Sequence, residues 1–329
     1  GGALNMASTP IPREMGGTWL TEVGQDATYR VHATYGGRSD NGVGFLIEAH
    51  QWQSDGFQTI DRSDATTGLD VTDFTAKLSY APLGSPHAIE LKLQLADQDS
   101  NQSYLGLTDN DFGDDALRRY GLSELDNIAT EHEQAILRYS FDVSENFSLT
   151  TTAYNNTHQR NWFKTEGLDL DGSANADSYS GKSWASVIDA VNLGNGLGAY
   201  SHEQLQGILD GSVDTPTGSV QLRSNNREYY SRGLQFGANW VGDFGGAQHE
   251  ISAGLRFHED EEDRFQRNDT YSQRAGKLGL DSLGTEGNAG NQVQSAEALA
   301  FFIRDEITFG DWTVSPGIRF EDIDQDRTR

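Results

Sequence analysis

His87-Ala-Ile-Glu-Leu-Lys-Leu-Gln-Leu95 alternates apolar and polar residues without a break from Ile89 onward. Successive side chains of an extended strand point to opposite faces, so Ile89, Leu91, Leu93 and Leu95 share one face and Glu90, Lys92 and Gln94 the other. One such strand would suit a soluble sandwich equally well. The same two-faced strand, however, recurs along nearly the whole chain. Tyr29, Val31, Ala33 and Tyr35 oppose Arg30, His32 and Thr34. Val43, Phe45, Ile47 and Ala49 oppose Gly44, Glu48 and His50, with Leu46 an exception, and Phe74, Ala76, Leu78 and Tyr80 oppose Asp73, Thr75, Lys77 and Ser79. The pattern continues through Ala135 to Val143, Phe147 to Ala153, Leu234 to Trp240, Ile251 to Phe257, Leu299 to Ile307 and Trp312 to Phe320. With a first strand at Thr18 to Val23, about eleven strands are expected.

The connections carry as much information as the strands. Turns near Asn41, Ser85, Glu145, Gly245 and Gly310 are a few residues long. They alternate with long polar connections over Thr59 to Gly68, Asp97 to Thr130, Thr165 to Asn226 and Asn268 to Gln294. Short turns at one end and long loops at the other characterise an antiparallel up-and-down β-barrel that crosses an outer membrane. A soluble sandwich does not explain why the long loops all fall at one end. Tyr35, Tyr80, Tyr139, Phe147, Trp240 and Trp312 near strand ends suit an interfacial aromatic girdle. The expected class is thus all-β: a transmembrane antiparallel up-and-down β-barrel, here a partial one. Within the loops, Ser201-His-Glu-Gln204 is a capping-box pattern before Leu205, Ile208 and Leu209, and Trp184 to Val191 is a second helical candidate.

Composition is consistent with this class. No stretch approaches the ~20 consecutive apolar residues of a membrane helix. The mean hydropathy of −0.62 does not argue against a membrane, because a barrel presents only every second residue to lipid. The 24 Lys and Arg against 50 Asp and Glu leave a formal charge of −26, which repels phosphate backbones and excludes a nucleic-acid partner. The same charge permits divalent-cation bridging at a bacterial surface. There is no Cys. The chain begins without an initiator Met or a signal peptide and stops just beyond a strand, so it reads as an internal fragment.

The opening Gly1-Gly-Ala-Leu-Asn-Met-Ala-Ser-Thr-Pro-Ile-Pro12 resembles the close of the plug domain in TonB-dependent outer-membrane receptors, whose last plug strand carries Gly-Gly-x-x-Asn followed by an apolar residue. The rest of the chain is similar to the same family at Ser54-Asp-Gly-Phe57, at Tyr104-Leu-Gly-Leu-Thr-Asp-Asn-Asp-Phe112 with Arg118-Arg-Tyr120, and at Thr313-Val-Ser-Pro-Gly-Ile-Arg-Phe320. The Tyr104 loop and His258-Glu-Asp-Glu-Glu-Asp-Arg-Phe265 look most like the ferric-dicitrate receptor branch. The resemblance implies a plugged barrel of ~22 strands, with residues 1–14 the end of the plug and 15–329 the N-terminal part of the barrel. It further implies import of a ferric chelate, iron(III) dicitrate or a carboxylate-type siderophore. The implied partners are the TonB complex, outer-membrane lipid and lipopolysaccharide, with no cofactor beyond the transported chelate. Another cargo of the same machinery, or a passive porin or adhesion barrel, is the alternative.

An anionic chelate calls for cationic, hydrogen-bonding groups on the lumen face near the extracellular rim, and Arg offers a planar fork that matches carboxylates. His158 and Arg160 meet this on the strand begun by Phe147, and Arg264 and Gln266 on the strand begun by Ile251. Arg267, Gln273 and Arg274 lie at its end or in the loop that follows. For each Arg the plainer reading is a lumen salt bridge. Arg256, Arg304 and Arg319 fall nearer mid-barrel. Glu259 to Asp263 and the run Asp109, Asp111, Asp114 and Asp115 lack EF-hand spacing and read as a charged strand end and a solvated loop. The scattered His residues offer no zinc motif, and no Gly-x-Ser-x-Gly elbow or phosphate loop points to an enzyme.

Overall fold

A computed structural model describes residues 7–170 and 181–329, so the Gly-Gly-x-x-Asn motif of residues 1–6 lies outside the described residues. Eleven long strands form one antiparallel meander: β1 Gly16–Val23, β2 Tyr29–Arg38, β3 Val43–Ser54, β4 Leu69–Tyr80, β5 His87–Ser100 and β6 Asn127–Ser144. Then follow β7 Phe147–Leu168, β8 Val220–Phe244, β9 Ala247–Arg274, β10 Gly290–Phe309 and β11, which comes in two pieces, Trp312–Val314 and Gly317–Thr328. Each pairs with its neighbours in sequence, as expected of an up-and-down barrel wall. The β8–β9 turn contains Gly245 and Gly246, both at positive φ (62° and 84°), the backbone that a tight hairpin requires.

Several strands run further than the hydrophobic pattern suggests. β5 continues to Ser100, β6 begins at Asn127, β7 reaches Leu168, β8 begins at Val220 and β9 reaches Arg274. These extensions rise beyond the apolar band and carry polar residues on both faces up to apolar ends at Leu168, Val220, Leu222 and Tyr271, so the two-residue period of hydrophobicity fades while the backbone ladder persists.

The apolar face is outward. Ile89 (41% exposed), Leu93 (46%), Leu299 (39%) and Phe301 (44%) stand open, while Leu91, Ile251 and Leu255 on the same face are partly covered by their neighbours. Register joins these residues across strands: Phe45, Leu78, Leu91, Leu137, Ala153, Leu234, Phe257 and Leu299 form one row. The band crosses such rows obliquely. The row through Tyr80, Ile89, Tyr139, Thr151, Phe236, Leu255 and Phe301 meets the end of β4 at Tyr80, yet on β10 the strand continues to Phe309, eight residues further. Eight residues of ~3.3 Å over six strand steps of ~4.8 Å correspond to a strand tilt of about 40°. That is the tilt of a closed membrane barrel.

Residues 7–15 lie against the inner face. Lys77 Nζ donates to Thr9 O at 2.6 Å, and Thr9 Oγ1 donates to Glu48 Oε1 at 3.1 Å, which also meets His32 Nε2 at 2.7 Å. Ile11 is buried over Gly44, where an added Cβ would stand 3.2 Å from its Cγ2, and Pro12 and Met15 lie over Gly36 and Gly37. Leu46, the apolar exception on the polar face, is buried beside Gly36 beneath this segment.

The hydrophobic core sits above the band and not within it. Tyr120 and Leu122 from one long loop pack with Leu168, Val220, Leu222 and Tyr271 from strand ends and with helices α2 (Trp184–Asn192) and α3 (His202–Leu209). Helix α1 (Asp109–Asp114) is short. Both expected loop helices are present, and the capping box at Ser201 and Gln204 is formed. Thr59–Ile60 pairs in parallel with Arg118–Arg119, a link no local pattern announced, and Arg118 bridges Asp61 (2.8 Å) and Asp111 (2.6 Å). Asp111 also accepts from Tyr120 Oη; burial, then this carboxylate, holds the phenol up to about 12. Asp126 ties the loop to β7 by accepting from Ser103 Oγ (2.5 Å) and Thr165 N (2.6 Å).

Two predictions follow from this architecture. Leu91→Lys places a charge in the lipid band and should destabilise the folded intact barrel by about 2–4 kcal/mol, whereas Gln94→Lys on the other face should stay within about 0.5 kcal/mol. Urea titration in bilayers checks this, and equal costs would reverse the face assignment. Burial pushes the Asp126 carboxyl up to about 7 against the opposing pull of Ser103, Thr165, Arg119 and Lys164. An Asp in water titrates near ~3.9, so the closed loop holds a proton that the open loop releases. Loop closure is then firmest below about pH 4 and weakens as pH rises to about 7. Hydrogen exchange of residues 101–126, corrected for intrinsic rates, should be faster at pH 8 than at pH 5, and Asp126→Asn should abolish the difference.

Candidate functional site

The inner faces of β7, β8 and β9 carry a stack of register rows above the apolar band. Alternation sends Tyr154, Asn156, His158, Arg160, Trp162 and Lys164 of β7 inward, together with Arg223, Asn225, Arg227 and Tyr229 of β8 and His258, Asp260, Glu262, Arg264 and Gln266 of β9. The ladder then sets them side by side. Arg160, Arg227 and Arg264 fall in one row; His158, Tyr229 and Glu262 lie one step below, and Lys164, Arg223 and Asn268 two steps above.

Two carboxylates divide most of this charge. Glu262 Oε1 lies 3.1 Å from Arg227 Nη1 and 3.0 Å from Arg264 Nη2, and Arg264 Nε donates to the same oxygen at 3.1 Å. Glu166 lies between Lys164 Nζ (3.1 Å) and Arg223 Nη1 (2.8 Å). Arg160 forms no ion pair among the described residues, and its Nε is buried without a hydrogen-bond partner. Five cations against three inward carboxylates, Glu166, Glu262 and the Asp260 that meets His258, leave a positive surplus on this wall of a strongly acidic chain. The adjoining inward positions, Thr130 and His132 on β6 and Gln292 and Gln294 on β10, add no carboxylate. Such an arrangement offers guanidinium forks to an anion.

Aromatic contacts bound the wall above and below. Tyr104 stacks on Trp162 with ring centroids 4.2 Å apart, and Lys164 Nζ sits 4.3 Å from the Tyr104 centroid. The loop that resembles the dicitrate branch is thereby laid over the top of the wall. Lower down, Tyr154 reaches across Gly233 to meet His258 Nδ1 at 2.6 Å and Arg256 Nε at 2.9 Å, and His258 Nε2 meets Asp260 at 3.0 Å. A Cβ at Gly233 would stand 2.5 Å from Tyr154 Oη, so this crossing needs glycine.

The structure brings His158, Arg160, Arg264 and Gln266 together on the wall, Gln266 donating to Asn225. Arg267 is one residue out of phase and faces outward, held by Asp269 (2.8 Å) and Glu286. Gln273 is buried and donates to Ile208 O (2.9 Å) and Val213 O (3.0 Å), while Arg274 donates to Thr215 O and Gln273 O. Both hold the loop core. Arg304 and Arg319 pair with Glu306 and Glu321 on their own strands. The run Glu259 to Asp263 is split by the pleat, Asp260 and Glu262 inward and the others outward, so it cannot converge on an ion. Arg223 falls in the connection expected over Thr165 to Asn226, and Arg227 lies ahead of the apolar alternation that begins at Leu234, so that pattern reaches neither. Their spacing with Asn225 and Tyr229, polar at every second residue, is the available signal.

No family model matches the chain, and no curated protein does. Among solved structures it is similar to the ferric citrate transporter FecA in its unliganded form, at 18% identity and TM-score 0.62 over 97% of this chain and 39% of that one. It is also similar to the siderophore receptor PiuA from Acinetobacter baumannii (13%, 0.65, 97% and 44%) and to the open form of the ferric-catecholate import receptor Fiu from E. coli K12 (11%, 0.65, 97% and 46%). The chain spans less than half the length of each, and it has the fold of the outer-membrane receptor barrel that they share.

Proposed function

We propose that the chain is part of a TonB-dependent outer-membrane receptor that imports a ferric chelate, and that the cargo is carboxylate-rich, such as iron(III) dicitrate. Residues 1–14 are then the end of the plug and 15–329 the N-terminal part of the barrel. The row Arg160, Arg227 and Arg264 carries this reading, since it sets three guanidiniums side by side on the inner face of a chain with formal charge −26. Guanidinium forks suit carboxylates in particular. The fold likeness supports the receptor class, and the neighbours' own ligands, ferric citrate and a ferric catecholate, differ from one another. In this reading the chelate rests on the β7–β9 wall beneath the loop cap, and energy relayed by the TonB complex through the plug opens a path. Outer-membrane lipid and lipopolysaccharide meet the apolar band. The segment 7–15, seated inside the wall by Lys77, Glu48 and the trough of glycines, favours a plugged barrel over a passive porin. We assign it no reaction.

Titration of the purified full-length receptor with ferric dicitrate tests the site. Arg160→Ala, Arg227→Ala and Arg264→Ala should each remove a charge-assisted contact of about 1.5–3 kcal/mol, or roughly ten-fold or more in affinity, with assembly intact. Arg267→Ala, which faces away and is partly exposed, should change affinity by less than about two-fold. Unchanged binding in all of the first three would remove the wall from the binding site.

A further inference from the structure

Glu262 occupies the position that a ligand carboxylate would take. It reaches both Arg227 and Arg264 within about 3 Å, while Arg160, in the same row, has neither an ion pair among the described residues nor a partner for its buried Nε. The pattern recurs above, where Glu166 lies between Lys164 and Arg223. Each carboxylate holds two cations in a fixed fork without neutralising both. An incoming anion therefore meets one vacant guanidinium and two that are already engaged.

We infer that Glu262 is an internal carboxylate surrogate that sets the selectivity of the wall. To engage Arg227 and Arg264 a ligand must displace it, and the displaced carboxylate is left without its partners at a cost. A small anion that offers one contact cannot offset that cost. A chelate presenting several carboxylates can, because one engages Arg160 while another exchanges with Glu262. Glu262 thus keeps simple anions off the site and weakens, in return, the binding of the intended one. The inference rests on the carboxylate-chelate reading above.

The full-length receptor and its Glu262→Gln and Glu262→Asp variants are titrated with ferric dicitrate, and separately with inorganic phosphate alone. Glu262→Gln should bind ferric dicitrate about ten-fold more tightly, the effect of roughly one charge-assisted contact. It should also acquire phosphate binding in the millimolar range that the parent lacks. Glu262→Asp keeps the charge but withdraws it by one methylene, and should lie between the two; it serves alone if Glu262→Gln does not assemble. A merely structural role would lower affinity for every ligand, and weaker or unchanged binding of both probes in both variants overturns the inference. Gain of phosphate binding without any binding of ferric dicitrate by the parent would overturn the cargo reading and leave the role of Glu262 in excluding simple anions standing.

Discussion

Inside a bilayer no water is available to satisfy a backbone N–H or C=O, so every such group in the spanning region must pair with another strand. The rest of this structure depends on that constraint. It forces each strand onto its neighbour over the whole width of the band, and the tight turns at the lower end set the register between them. Once register is set, the pleat sorts side chains into two surfaces with opposite chemistry. A slip of one residue would send Leu91 inward and Lys92 into lipid. The oblique course of the apolar band through the register rows follows from the same ladder, because tilted strands must be offset for a wall to curve toward closure.

The constraint also decides where the packed core can form. Within the band the outer face meets lipid and the inner face is polar, so little apolar surface is left there to bury against protein. Above the band the ladder continues with polar residues on both faces, and the loops supply their own core of Tyr120, Trp184, Leu205 and Ile208 around the strand ends at Leu168, Val220 and Leu222. Arg118, Asp126 and Gln273 cross-link that core by ion pairs and hydrogen bonds to different segments. The long connections therefore behave as one packed cap, and the buried carboxylate of Asp126 fastens it to β7.

The cationic wall is a product of both regions. Strands β7 to β9 extend beyond lipid, where charged side chains can face the lumen without entering hydrocarbon, and the ladder brings Arg160, Arg227 and Arg264 from three strands into one row. Glu262 and Glu166 keep these charges apart and oriented. The low dielectric of a part-buried surface strengthens such contacts, and it also makes the unpartnered Nε of Arg160 costly unless an anion satisfies it.

The barrel itself was legible in the sequence because a two-residue period with short and long connections has a direct local cause: one face meets lipid and one does not. About eleven strands, their outward faces and the inward placement of His158, Arg160, Arg264 and Gln266 follow from that period, and the capping box at Ser201 follows from its own spacing to Gln204. Where the period fades, local reading stops short. Between Leu222 and Leu234 β8 carries no apolar alternation, and Arg223 and Arg227 lie in that stretch. Arg267 faces outward because it is one residue out of phase with Arg264 and Gln266 on the same strand, and Gln273 and Arg274 are claimed by a loop core that no local pattern describes. Leu46 breaks the alternation because residues 7–15, far from it in sequence, cover it on the inner face. Which residues alternate depends only on neighbours in the chain and is therefore written in it locally; which charges share a row, and which carboxylate stands between them, is set by register across strands far apart in sequence and emerges only on folding.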